Sequence, residues 1–248
     1  MNRIILITGA NNGIGLAMTQ TLLEMGDRVA ALDLSLENIA STPHPNLLPL
    51  RCDVTQPAQI RSAVDEILSR WGGIDVLINN ACLALFIPFE ERVLDDIRRE
   101  FEVNYFGYLN LIRAVLPVMK KQGHGIIHNF SSGVGFTGMP GMTGYTSTKG
   151  AIESLTRTLA LEYMSQGIVF NVMHPPLTRT KSASGLGVPV EMMADPVVVG
   201  RNLAKQVGKT RPVLAPDPGN GFQLWVTYHF RVQMGKLLAM MTARAKKQ

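Results

Sequence analysis

Short apolar runs alternate with longer segments of helical period along the chain, and this alternation restricts the fold more than any other feature. The runs cover residues 3–8, 28–33, 47–53, 74–79, 125–131, 168–174 and 212–215. They are rich in Ile, Val and Leu with little polar alternation, as strands covered on both faces are. The intervals leave room for crossover helices, which predicts a parallel sheet of the doubly wound α/β class. Helices are predicted over 14–25, 57–71, 90–120 with an interruption, 145–165, 196–207 and roughly 222–245. Pro57 and Pro196 suit first-turn positions, Thr55 and Asp195 suit N-caps, and Gly26, Gly72 and Gly167 suit the chain reversals after helices.

Composition excludes several classes. The 248 residues are 46% hydrophobic, enough for a sizeable core, and no repeat or low-complexity linker divides them. The net charge of +5 is mild, and basic residues are scattered except at Arg244, Lys246 and Lys247, so no nucleic-acid partner is expected. Two cysteines, Cys52 and Cys82, cannot build a disulfide framework and fit a reducing cytoplasm. The dispersed histidines His44, His124, His128, His174 and His229 lack metal-ligand or triad spacing, so no metal is expected. The apolar run at 4–7 passes directly into a glycine-rich turn and reads as a first strand, not a signal peptide. No apolar stretch reaches the roughly 18 residues of a transmembrane helix.

Between the first strand and the first helix lies Thr8-Gly9-Ala10-Asn11-Asn12-Gly13-Ile14-Gly15. Backbone amides at a helix N-terminus can hold a pyrophosphate. Gly9 suits the tight turn, Gly13 lets the backbone approach phosphates, and Gly15 lets the helix pack close to the sheet. The spacing G-x-x-x-G-x-G departs from the general G-x-G-x-x-G fingerprint, and no Lys-Ser/Thr ending suggests an ATP-hydrolysing loop. Asp33 closes the second strand, where an acidic residue meets the adenosine ribose hydroxyls. A carboxylate there repels the 2′-phosphate of NADP, and neither Asn12 nor Leu34 supplies a cation to hold it. The expected cofactor is therefore NAD.

Tyr145 and Lys149 stand four residues apart in a predicted helix and so share one face. A phenol is a poor base at neutral pH, but a nearby ammonium favours the phenolate. Such a pair can exchange a proton with an alcohol.

Taken in chain order, the 8–15 loop, Asp33, Asp53-Val54, Asn79-Asn80-Ala81, Asn104, Ser132, Tyr145, Lys149 and the 175–180 segment resemble the short-chain dehydrogenase/reductase family in its single-domain form. The resemblance runs from residue 3 to about 180. It implies a Rossmann fold and hydride transfer between a nicotinamide and a secondary alcohol or ketone. By position it makes Tyr145 the general acid/base, and Ser132 the hydrogen-bond partner of the reacting oxygen. Lys149 would lower the tyrosine pKa and hold the nicotinamide ribose, and Asn104 would hold a relay water. Ser132 is chosen over Ser131 because it lies 13 residues before Tyr145. The implied cofactor contacts are Gly9, Asn12, Gly13, Ile14 and Gly15 in the loop, with Asp33 at the adenosine ribose. Asp53 and Val54 would flank the adenine, and Asn79 would contact ribose. Ala81, Pro175 and Leu177 would line the cofactor beside Tyr145 and Lys149, and Thr180 would meet the carboxamide.

Two positions depart from the family pattern. Cys82 replaces a glycine after Asn-Asn-Ala, and Pro175-Pro176 replaces Pro-Gly. Pro176 lacks an N–H and fixes φ, while Cys82 adds a side chain beside the nicotinamide, where it reads as a small buried hydrophobe and not a reactive thiol. Met139, Met142, Met192 and Met193 fall in loops that the family uses for its substrate pocket and suggest a largely nonpolar substrate.

Residues 1–221 thus read as a dinucleotide-binding and catalytic domain. In 222–248, Phe222, Val226, Phe230, Met234, Leu237, Leu238 and Met241 recur at helical spacing, with Arg231, Lys236, Arg244, Lys246 and Lys247 supplying charge. This amphipathic helix is expected to pack on its own domain or on a partner subunit; the alternative is a membrane-surface helix. The family implies a homodimer or homotetramer. A catalytically silent dinucleotide-binding regulator or assembly subunit is the alternative function. An extended-branch sugar-nucleotide epimerase is disfavoured because little chain follows Thr180.

Overall fold

The computed structural model describes residues 2–41, 43–186 and 188–245. Its strands are β1 (Ile4–Thr8), β2 (Arg28–Asp33), β3 (Leu47–Arg51), β4 (Val76–Asn79), β5 (Gly125–Phe130), β6 (Ile168–Met173) and β7 (Val213–Leu214). Its helices are α1 (Gly13–Glu24), α2 (Glu37–Ala40), α3 (Pro57–Trp71), α4 (Leu94–Phe101), α5 (Gly107–Gln122), α6 (Val134–Thr137), α7 (Thr143–Glu162), α8 (Pro196–Ala204), α9 (Pro218–His229) and α10 (Arg231–Ala245). The strands form one parallel sheet in the order β3-β2-β1-β4-β5-β6-β7. The order reverses between β1 and β4, so a crevice opens at their carboxyl ends.

Both faces of the sheet are covered, which explains why its strands carry no polar alternation. Ile5, Ile7, Val29 and Ile78 pack with Met18 and Leu22 of α1 and Leu203 of α8. Leu6, Ala30, Leu77 and Ile127 point the other way, against Ile67 of α3 and Leu111 and Val115 of α5. Each such aliphatic side chain, fully buried, contributes about 1.5–3 kcal/mol. α8 presses on α1 at Gly200, where a Cβ would lie 2.5 Å from that of Ala17.

The predicted helix over 90–120 is divided. A 3-10 turn (Phe89–Glu91) precedes α4, and a π-helical turn (Glu102–Phe106) joins α4 to α5 through the Gly107 amide, which reaches back to the Glu102 carbonyl. Thr55 is not an N-cap: its hydroxyl donates to Asp53 Oδ1 at 2.8 Å, and Gln56 takes the cap position of α3. Asp195 does cap α8, accepting from the amides of Val197 (2.8 Å) and Val198 (3.2 Å). α2 and α6, of four residues each, have no periodicity from which to be predicted.

The predicted C-terminal helix over 222–245 is two helices. Asp217 accepts from the Asn220 amide at 2.9 Å and Pro218 fills the first turn, so α9 begins before Phe222. Phe230 has φ −111° and ψ 36°, outside helical geometry, and separates α9 from α10. α10 lies on α6 so closely that a Cβ at Gly235 would be 2.6 Å from the Thr137 carbonyl oxygen. Lys246 and Lys247, with the side chains of Met241 and Arg244, lie outside the described residues. Among the described residues no helix is long and apolar enough to cross a membrane.

Candidate active site

The glycine loop occupies the crevice. Gly9 and Gly13 adopt φ of 64° and 54°, which L side chains rarely take. A Cβ at Gly15 would strike the Gly9 carbonyl, and one at Gly13 would lie 3.0 Å from Thr180 Cγ2. Loop, helix start and Thr180 are therefore in close contact. Asn12 sits at the α1 N-cap in extended conformation without a side-chain cap. The first amides of α1 are left for an external acceptor, a cradle that fits a pyrophosphate.

Asp33 faces this loop, with Oδ2 accepting from the Asn11 amide at 2.9 Å and Oδ1 from the Ser35 amide at 3.3 Å. Arg51 is its register partner on β3, and no ion pair joins the two among the described residues. Asn80, given no role from sequence, locks the loop to β4. Its Nδ2 donates to the carbonyls of Thr8 and Gly9, each at 3.0 Å, and its amide and that of Ala81 donate to Thr8 Oγ1, each at 3.1 Å. The signal was present as the Asn79-Asn80 pair at a strand end.

Three implied cofactor contacts have their side chains committed elsewhere. Asn79 is fully buried and donates to Asn129 Oδ1 at 2.9 Å, and Asn129 donates to Thr156 Oγ1 at 3.0 Å. Val54 is buried against Gly107 at the start of α5. Asp53 accepts from the Thr55 amide and hydroxyl.

α7 opens beside the same crevice and carries Tyr145 and Lys149 on one face. Tyr145 is hydrogen-bonded with Ser132, which lines the cavity; Ser131 is buried with its hydroxyl 3.5 Å from the Lys149 carbonyl. The Lys149 ammonium donates to the Phe130 carbonyl at 2.8 Å and lies 5.5 Å from the Tyr145 ring centre and 5.4 Å from that of Tyr108. Burial drives the Tyr145 pKa upward, with Cys82 adding to the rise and the Ser132 hydrogen bond opposing it. Lys149 is itself buried, which pulls its pKa down against the opposing pull of Cys82 and Glu153, and its ammonium is turned to the Phe130 carbonyl. Tyr145 is thus held as a protonated phenol.

Asn104 lies in the π-helical turn. Its Oδ1 accepts from the Leu83 amide, and its Nδ2 donates to the Leu83 carbonyl and Thr148 Oγ1, at 2.8, 2.8 and 3.1 Å. With both amide hydrogens used, the side chain clamps the chain after β4 to α7. Tyr108, fully buried beneath Lys149 with its hydroxyl lacking a hydrogen-bond partner among the described residues, was not singled out from sequence. Burial raises the Cys82 thiol pKa, so it stands as a cavity wall rather than a thiolate.

The cavity at Tyr145 has a volume of about 290 Å3 and runs from Ile14 and Thr180 past Ser132 to Met139 and Met142. Pro175, Pro176 and Leu177 line it too, whereas Met192 and Met193 do not. Gln223 and Thr227 of α9 and Met234 and Leu238 of α10 close its outer side. Beneath it, Arg92 and Glu100 form a fully buried ion pair: Glu100 also accepts from the Leu85 amide at 2.9 Å, and Arg92 donates to the carbonyls of Leu85 (2.7 Å) and Gly141 (3.2 Å).

A protonated phenol and an ammonium beside a phosphate cradle, at the switch point of a parallel sheet, define the class of dinucleotide-dependent oxidoreductases. The comparisons agree. Residues 3–187 match the model of the short chain dehydrogenase family. The chain is 36% identical over 192 residues to the 2-(R)-hydroxypropyl-CoM dehydrogenase of Xanthobacter autotrophicus, covering 73% of this chain and 76% of that one. It is 35% identical over 183 residues to a 3-alpha-(or 20-beta)-hydroxysteroid dehydrogenase of Mycobacterium bovis, covering 73% and 70%. A short-chain dehydrogenase structure from Streptomyces avermitilis superposes with a TM-score of 0.80 at 28% identity, covering 94% of this chain and 95% of that one. The chain belongs to the short-chain dehydrogenase/reductase family, and it is an oxidoreductase of CH–OH groups that uses a nicotinamide dinucleotide.

Proposed function

We propose that the protein is a cytoplasmic, homo-oligomeric NAD-dependent dehydrogenase or reductase of a secondary alcohol or ketone with a largely nonpolar body. The observation that carries this reading is the Tyr145–Ser132 hydroxyl pair, set in an apolar cavity continuous with the glycine loop. The Asp33 carboxylate, turned toward that loop, supports NAD over NADP by like-charge repulsion of a 2′-phosphate. Exposed Phe106, Leu161 and Met164, near the ends of α5 and α7, support association through those helices. The Met139, Met142 and Phe86 walls support the nonpolar substrate.

A nicotinamide dinucleotide, when bound, would supply the hydride chemistry. The amides at the start of α1 would hold its pyrophosphate, and Asp33 would take its adenosine ribose hydroxyls. Ser132 orients the substrate oxygen toward Tyr145, which gives it a proton in reduction and removes one in oxidation. Burial that keeps the phenol protonated suits the donating role. Lys149 places a positive charge behind the phenol when the proton leaves.

Tyr145→Phe tests the chemistry. Turnover of a ketone panel with NADH is expected to fall by at least about a hundredfold, while NAD affinity stays nearly unchanged. Wild-type turnover in Tyr145→Phe would remove Tyr145 from the mechanism.

A further inference from the structure

A second cavity, of about 690 Å3, lies on the opposite side of α9 from Tyr145, between the C-terminal half of α7, the edge of β6 and β7, and α9 itself. Its volume is in the range of small-molecule sites. Phe136, Trp225 and Tyr228 give it an aromatic wall, with the Phe136 and Tyr228 rings edge-to-face at 5.2 Å. His174, only 3% exposed, lines it from the end of β6, with Nε2 2.7 Å from Glu153 Oε1 and neither ring nitrogen in a well-formed hydrogen bond among the described residues.

The charges around the cavity are unequal. Lys209 and Arg211 also line it, and both donate to a neutral acceptor, Gln206 Oε1, at 2.9 and 3.4 Å. Neither has a carboxylate within ion-pair distance among the described residues. The two carboxylates in the lining have partners of their own: Glu153 Oε2 lies 3.6 Å from Arg157 Nη1, and Asp217 accepts from the Asn220 amide and side chain at the α9 N-terminus. An aromatic interior beside two uncompensated cations matches a ligand with an apolar body and an anionic head. A symmetric second copy is a poor occupant, because a two-fold contact centred here would bring the same two cations of each subunit together.

We infer that this cavity is a binding site for a small amphipathic anion, a carboxylate with an aliphatic or aromatic body, separate from the substrate cavity. His174 and Leu224 border both cavities, and α9 presents Trp225 and Tyr228 to one and Gln223 and Thr227 to the other. The anion's body lies against the wall that the substrate cavity shares.

Trp225 reports occupancy directly. In the full-length protein carrying Trp71→Phe, which leaves Trp225 as the sole tryptophan, titration with decanoate is expected to change the indole fluorescence saturably. Affinity should fall at least tenfold in Lys209→Gln/Arg211→Gln, and 1-decanol at the same concentrations should produce no saturable change. Met139→Trp would confuse the optical signal, so isothermal titration of decanoate into that variant, whose substrate cavity is filled, is expected to give the wild-type affinity. No saturable binding, equal affinity in the double variant, or loss of binding in Met139→Trp would overturn the assignment. So would a sedimentation experiment in which the double variant changes the oligomeric state, since the surface would then belong to a second copy.

Discussion

The ammonium of Lys149 lies 2.8 Å from the carbonyl oxygen of Phe130, so α7 is tied to the end of β5 by its own charged side chain. Lys149→Met removes that donor and leaves a buried carbonyl unpaired, which costs about 1–3 kcal/mol. It also removes the positive charge behind Tyr145. Denaturant unfolding should show the stability loss, and turnover should fall at least about a hundredfold by the pKa argument for a buried phenol. A variant of wild-type stability would mean that the Phe130 contact contributes nothing.

For Asp33, the comparison is between cofactors. Wild-type protein should bind NAD at least about tenfold more tightly than NADP, and Asp33→Ala should narrow that gap, because the charge facing a 2′-phosphate is gone. Arg51, opposite Asp33 in the β2–β3 register, would then favour the phosphate without a neighbouring carboxylate to oppose it. Titration of both cofactors against both proteins decides the point, and a wild-type preference for NADP would refute the role given to Asp33.

His128 predicts a pH dependence of stability. The Gly208 amide donates to its Nε2 at 3.2 Å, so the neutral ring carries its proton on Nδ1 and donates to Asn171 Oδ1 at 2.5 Å. Burial lowers its pKa to about 4, against an opposing contribution from the Asn171 hydrogen bond and with Arg3 adding to the lowering. The unfolded chain takes up this proton near pH 6.5 and the folded one only near pH 4, so the stabilisation is complete above about 6.5 and is lost as the pH falls. The full span is on the order of 3 kcal/mol. His128→Gln should flatten the thermal-stability profile between those values, and an unaltered slope would show that other groups cause it.

Gly235 inverts a familiar rule. A mid-helix Gly→Ala exchange on an open surface stabilises by about 1 kcal/mol. Here the added Cβ would meet the Thr137 carbonyl at 2.6 Å, so Gly235→Ala must move α10 away from α6. Because Met234 and Leu238 line the cavity at Tyr145, the expected effect is a raised KM with stability lost, not gained. A higher melting temperature with unchanged KM would show that α10 does not depend on that contact.

All seven strands were legible because a parallel sheet covered on both faces leaves unbroken apolar runs. The tyrosine, lysine and serine proposed for catalysis, which the fold brings to one cavity, were legible because their spacing is local or matches a family pattern. What escaped was what depends on the fold's long-range contacts. Lys149 turns to Phe130, the Asn104 side chain is taken by Leu83, and Tyr108 lies beneath the site. None of these contacts leaves a trace in residue spacing. The division of the C-terminal helix at Phe230 escaped for the opposite reason, since the apolar period continues across a break in the backbone.

The π-helical turn at Glu102–Phe106 also constrains how this chain can change in length. It holds one more residue than an α-helical turn would need, and each residue advances a helix by about 100°. Deleting one residue there would restore regular winding while rotating all of α5 by that angle. Leu111, Ile112, Val115 and Met119, now fully enclosed, would swing off the sheet together. Asn104 and the buried face of α5 are therefore a single inheritance unit: insertions and deletions can accumulate before α4 or after α5, but not between them.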